Sequence, residues 1–174
     1  QVFWGALDTP PIPADFFYPG SQPFFGSVQF RGGAADPNNS AISALIQRGI
    51  EMHCLGTGFP RPCDPVPIEI VALSLVSINP IVVSGPVDSQ WNVAVSLSQV
   101  AQPIGGMSPI LEHENGGNYS CFLPVVPEFT FVNADNPADI RVLDYGDLGN
   151  PPIQLQFNNV PWVVALNSGL SMQI

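Results

Sequence analysis

Trp91-Asn92-Val93-Ala94-Val95-Ser96-Leu97-Ser98 alternates apolar and small or polar residues over eight positions. A period of two puts Trp91, Val93, Val95 and Leu97 on one side of a β-strand and Asn92, Ala94, Ser96 and Ser98 on the other. Similar signals lie on both sides of this stretch. Upstream, Ile68-Glu69-Ile70 alternates, and then Val71, Leu73 and Leu75 give way to Val76 and Ile78 in the opposite phase. A phase change inside one extended run marks a bulge or an exchange between sheets. Downstream, Pro109–Glu114 and Asn118–Leu123 flank Asn115-Gly116-Gly117, a hairpin signal. Glu128–Val132, Asp139–Leu143, Pro152–Phe157 and Val160–Leu166 read as further strands, as does Phe24–Phe30. Ile42–Met52 fits a short helix and an irregular strand equally, because Gly49 interrupts its helical spacing. The expectation is an all-β chain: a β-sandwich of about nine or ten short antiparallel strands.

Residues 1–23 stand outside that pattern. Phe3, Trp4, Phe16, Phe17 and Tyr18 are interspersed with Pro10, Pro11, Pro13 and Pro19, which leaves little room for a helix. We read this stretch as an extended N-terminal arm, with room for a strand at Val2–Leu7, and residues 24–174 as the sandwich; docking of the arm on a neighbouring copy and packing on its own domain are equal alternatives. So many large apolar side chains on an arm need a surface to cover them.

At 174 residues, 45% of them hydrophobic, the chain can bury a core without metal ions. Twenty Pro and sixteen Gly, spread along the whole length, punctuate many short strands. Only 10% of residues are charged, and the formal net charge is −10. There is no Lys; Arg31, Arg48, Arg61 and Arg141 are the cations. An acidic, Lys-free surface repels phosphate backbones and anionic membranes, so no nucleic-acid or membrane partner is expected. P-loop, Schiff-base and Ser–Lys chemistry are excluded with the missing Lys.

Cys54 and Cys63 bracket a Pro/Gly-rich loop, and a bridge closing it would contribute about 2.5–3 kcal/mol. We expect that disulfide. Cys121 is left as a buried thiol or as a partner for another chain. The chain starts at Gln1 rather than Met, which reads as a mature end after export. No run approaches 18 apolar residues, the length of a membrane-spanning helix. Asn38-Asn39-Ser40 and Asn118-Tyr119-Ser120 are glycosylation sequons.

Catalytic signals are absent. Glu112-His113-Glu114 alternates faces on a strand, so one metal ion cannot take all three. His53 adjoins Cys54, which is better spent in the expected disulfide than as a nucleophile; the alternative to the bridge is two buried thiols. Glu51, Glu69, Glu112, Glu114 and Glu128 are carboxylates with no context that pairs any two for glycoside hydrolysis. No Gly-x-Ser-x-Gly elbow occurs. Asp135, Asp139, Asp144 and Asp147 lie in tight oxygen-rich loops, where a structural calcium would be the one expected cofactor. The competing reading is Asx-turns between strands. Among aromatics that could stack on sugars, Trp91 and Trp162 read as core, whereas Trp4 and Tyr18 sit on the arm; Tyr145 is a further candidate.

Pro11-Ile12-Pro13-Ala14-Asp15-Phe16-Phe17-Tyr18-Pro19-Gly20-Ser21, Val66-Pro67-Ile68-Glu69-Ile70-Val71-Ala72-Leu73, Glu114-Asn115-Gly116-Gly117 and Arg141-Val142-Leu143-Asp144 together resemble a group of secreted β-rich proteins of planctomycete-type environmental bacteria. The resemblance implies export and a β-rich fold, and brings no activity or catalytic residue with it. The expected function is a structural subunit of an extracellular filament, sheath or surface layer, built from copies of itself. Val2, Phe3, Trp4, Phe16, Phe17 and Tyr18 are the candidate assembly arm. The alternatives are a secreted carbohydrate-binding or adhesion module, with a glycan as partner, and a hydrolase with an unmarked active site.

Overall fold

The computed structural model describes residues 3–9, 11–36 and 42–163. Every regular element among them is a strand. They are β1 (Phe3–Asp8), β2 (Ser27–Gly32), β3 (Ala44–Arg48), β4 (Arg61–Pro62), β5 (Val66–Leu73), β6 (Leu75–Ser77), β7 (Ile81–Val83), β8 (Ser89–Leu97), β9 (Gly105–His113), β10 (Gly116–Val125), β11 (Pro127–Asn133), β12 (Ile140–Asp144) and β13 (Ile153–Val163). They form two sheets, sandwich-like in composition: a seven-stranded one in the order β1-β2-β6-β8-β11-β12, with β7 also on β8, and a six-stranded one in the order β13-β10-β9-β5-β3, with β4 also on β9. The count passes the nine or ten expected, because two- and three-residue strands such as Arg61–Pro62 and Ile81–Val83 are too short to show a period.

Each sheet is the body of one compact unit. The first unit gathers Gln1–Ser43, Leu73–Ser96 and Glu128–Asp144; the second gathers Ala44–Ala72, Leu97–Pro127 and Tyr145–Ile174. The phase change read near Ser74 is where the chain leaves one sheet for the other. Val66–Leu73 pairs with β9 in the six-stranded sheet, and Leu75–Ser77 pairs with β2 and β8 in the seven-stranded one. Ser74 N–H donates to the Ser43 carbonyl, and the Ser74 carbonyl accepts from Gly33 N–H, so the crossing residue keeps its backbone bonds. The ambiguous Ile42–Met52 segment resolves as strand β3, with Ala44 and Ile46 buried.

In the first unit, β8 keeps the alternation that pointed to it. Trp91, Val93 and Val95 are buried, and Asn92 is exposed. Trp91 Nε1–H donates to Ser89 Oγ at 2.8 Å, which satisfies the indole's one donor. Phe30, Phe129 and Phe131 complete a fully buried aromatic set.

In the second unit, the buried face carries Val66, Ile68, Ile70, Met107, Leu111, Tyr119, Cys121 and Leu123. Cys54 and Cys63 are bridged, as expected. Arg61 then lies over the Phe59 ring at 5.3 Å and donates to the Gly56 carbonyl, so the bridged loop is held across its width. Cys121 is a buried free thiol.

Tyr119 is buried, yet its hydroxyl finds no hydrogen-bond partner among the described residues. Burial, and then the neighbouring Cys121, push its phenol up to about 12 from 10.0. The folded state favours the neutral phenol, so the unfolded chain deprotonates first. The contribution of Tyr119 to stability is therefore constant below pH 10 and falls as pH rises from there towards 12. Tyr119→Phe removes an unpaired hydroxyl at little cost in packing. At neutral pH it leaves stability unchanged or raises it by up to about 1 kcal/mol. It also moves the alkaline unfolding midpoint upward, which urea titrations at pH 7 and above 10 will read.

Candidate functional site

The arm is built into the first unit. Phe3–Asp8 pairs antiparallel with β2 at one edge of the seven-stranded sheet, Leu7 opposite Val28 and Asp8 opposite Ser27. Ile12 and Phe24 then exchange backbone hydrogen bonds of 3.0 Å in each direction. Between them the chain makes a compact loop. Asp15 sits at φ 65 and Gly20 at φ 86, and Gly20 N–H donates to Asp15 Oδ1 at 2.6 Å. Asp tolerates the left-handed region because its short side chain bonds locally, and here it closes the loop.

That loop delivers Phe17 to the core. Phe17 is 0% exposed, 5.1 Å from Trp91 and 5.2 Å from Phe131, edge-on to the latter. Half-buried Phe16 also meets Phe131, at 5.7 Å. Arg141 Nε–H donates to the Phe17 carbonyl at 2.9 Å. Tyr18 hydroxyl donates to the Val87 carbonyl at 2.8 Å, and Gly85 leaves room for its ring: a Cβ there would collide with the hydroxyl. Phe16, Phe17 and Tyr18 are thus seated on their own unit. Val2 lies outside the described residues, and for Phe3 and Trp4 only the backbone is described.

The remaining candidates are not drawn together. Asp139 is ion-paired with Arg141 at 3.0 Å, and Asn133 Oδ1 accepts from Asp135 N–H and Asn136 N–H, an Asx-turn. Asp144 lies in β12 opposite Glu128, and Asp147 is exposed in a separate turn. Among the described residues no three of His, Cys, Asp and Glu gather as metal ligands. His53 and His113 are both exposed, and His113 Nδ1 accepts from Asn115 N–H. Trp91, Trp162 and Tyr145 are buried. The sequon at Asn38 falls outside the described residues; Asn118 is half-buried near the start of β10, between β9 and β13.

The seven-stranded sheet ends at β1 and β12, the six-stranded one at β13 and β3. Ile153-Gln154-Leu155-Gln156-Phe157-Asn158-Asn159-Val160-Pro161-Trp162-Val163 carries no charge. Edge strands are ordinarily protected by charge, by Pro or by bulges. β13 has Pro161 and a bulge at Asn158-Asn159, where Asn159 takes φ 55.

That bulge shapes a depression on the exposed face of the six-stranded sheet. Register places Pro67, Gly106, Phe122 and Gln156 in one cross-strand row. Ser108 and Ser120 pair in the next row, and Asn158 bulges out beside them. Asn159 N–H donates to Ser120 Oγ at 3.3 Å, which ties the bulge to β10. The cavity above these rows holds about 360 Å³ and also touches Pro65. Nothing in the sequence marked it, because its residues are separated by as many as 93 positions and meet only through register.

Comparison with family models, with curated proteins and with solved structures finds no match to this chain.

Proposed function

We propose that the chain is a structural subunit of an extracellular assembly, in which neighbouring copies exchange strand β1. The observation that carries this reading is the position of Phe3–Asp8. It is an edge strand that pairs only with β2 among the described residues. A Pro-rich stretch, Thr9-Pro10-Pro11-Ile12-Pro13, joins it to the rest. The anchor begins within that stretch: the Ile12–Phe24 bridge and, beyond it, buried Phe17 hold the chain to its own unit. The exchanging part of the arm is therefore β1 alone, and Phe16 to Tyr18 are its root. Handing β1 to a neighbour keeps every β1–β2 bond while linking two chains. The linkage is head-to-tail and grows into a filament when its rotation does not close. The Cys54–Cys63 bridge fits the oxidising surroundings of an exported protein.

Asp8→Cys and Ser27→Cys, made in separate chains, test the exchange, since the two positions are register partners. Mixed under assembly conditions and oxidised, the two variants give a disulfide-linked heterodimer. A doubly substituted chain, which cross-links to itself, establishes that the pair can bond. Cross-linking of the double variant without any from the mixture would rule the exchange out.

A further inference from the structure

We infer that the depression over Gly106, Ser108, Ser120, Phe122, Gln156 and Asn158 binds a neutral oligosaccharide. The inference is independent of strand exchange, because it rests on the second unit and on none of the arm. The volume, about 360 Å³, lies at the small end of the roughly 300–1,000 Å³ typical of small-molecule sites.

The lining selects the ligand class by elimination. No carboxylate lines the cavity, and its two sulfur residues, Met107 and Cys121, are buried, so a cation finds no charged ligand there. No Arg lines it either, and the chain's net charge of −10 repels anions. A wholly apolar ligand would strip water from two amides and two hydroxyls without replacing it. A peptide adding as a strand needs free backbone groups, and β9 and β10 are both flanked by paired strands at this point. What remains are Ser108, Gln156 and Asn158, whose side chains make no hydrogen bond to another described residue. Each can donate and accept at once, as the vicinal hydroxyls of a sugar do.

The apolar part fits the same ligand. Phe122 is 44% exposed on a sheet face where its row neighbour, Gly106, has no side chain. A Cβ built on Gly106 would meet nothing within 4 Å, so open space adjoins the ring. A pyranose stacks its C–H face on the Phe122 ring, sits over Gly106, and turns its hydroxyls to Gln156, Asn158 and Ser108. The sheet is rigid beneath it, so little ordering is needed on binding.

Amide NMR spectra of the full chain, titrated with cellotetraose, mannotetraose and the acidic tetragalacturonate, test this. At least one neutral tetrasaccharide shifts the amides of Gly106, Ser108, Ser120 and Phe122 saturably, and tetragalacturonate does not. Phe122→Ala weakens that binding about tenfold, the worth of one aromatic contact. Gly106→Leu fills the space and abolishes binding, while its dispersed spectrum shows the fold retained. Gln156→Ala weakens binding without touching the packing. The inference is overturned if neither neutral sugar saturates these amides, if tetragalacturonate binds as tightly, or if Phe122→Ala and Gly106→Leu both bind like the parent. None of these outcomes bears on the Asp8/Ser27 cross-link, so the two proposals fail separately.

Discussion

Phe17→Ala lowers the unfolding free energy by about 3–5 kcal/mol, the range for truncating a fully buried Phe. The residue lies in the segment that the sequence reads as an extended arm, outside the sandwich. Its surroundings say otherwise. The ring is 0% exposed and wedged between Trp91 and Phe131, and the Arg141 guanidinium holds its carbonyl. Loss of the ring leaves a cavity among side chains that are themselves fully buried and cannot collapse into it without leaving their rotamers. Phe25→Ala is the matched control: the same chemistry, eight residues on, at 69% exposure. It should change stability by no more than about 0.5 kcal/mol. Urea denaturation of the two variants separates these cases by midpoint, at an unchanged slope. Equal midpoints would mean that the arm does not form part of the core. The same burial governs how strand exchange must be tested. Deleting residues 1–23 would remove Phe17 with β1 and unfold the unit, so lost assembly would say nothing about exchange. The register-matched cysteines avoid that confusion.

Local signals carried the fold a long way. The alternation in Trp91–Leu97 survives as buried and exposed faces of β8. The phase slip between Leu75 and Val76 lies beside a real crossing between sheets at Ser74, and nine-residue spacing sufficed for the disulfide. Each of these depends on residues within about ten positions. Long-range consequences were not legible. Pro152–Phe157 and Val160–Leu166 read as two strands separated by Asn158-Asn159; residues 164–166 of the second lie outside the described residues. In the structure, Asn159 takes its positive φ as a bulge inside one strand, since β10 continues alongside and pairs on both sides of it. The depression on the six-stranded sheet was invisible for the same reason. Gly106, Phe122 and Gln156 become neighbours only once β9, β10 and β13 are in register. Sugar-stacking aromatics were sought among Trp and Tyr, and the buried ones are core residues. Exposed Phe122 sits in Cys121-Phe122-Leu123, which reads as core from either neighbour.

Gly117→Val, at the start of β10, costs about 3 kcal/mol or more and breaks the hairpin that the second sheet is built on. Asn115-Gly116-Gly117 looks like one turn signal, but its two glycines answer to different constraints. Gly116 adopts φ 153 opposite His113, where the register slips. Gly117 has no unusual φ; its constraint is proximity. A Cβ there would run into the Ile110 carbonyl oxygen and stand 2.7 Å from Glu112 N, both of them backbone. Side chains can turn away from an added methyl, but a ladder of backbone hydrogen bonds cannot. Relief requires β9 and β10 to part where Gly117 pairs with Leu111, next to the ends of β13 and β4. Gly106→Ala, in the same sheet, separates this effect from the general cost of replacing glycine. Its Cβ would meet nothing within 4 Å, so it should be neutral within about 0.5 kcal/mol. Gly56→Ala supplies the third case: open space but φ 80, hence about 1–2 kcal/mol of backbone strain alone. Thermal unfolding of the three variants should therefore rank Gly106, Gly56 and Gly117 in order of increasing damage. Damage from Gly117→Val no greater than from Gly56→Ala would show that β9 and β10 can separate at that point, and that the sheet under the depression is softer than its paired backbone implies.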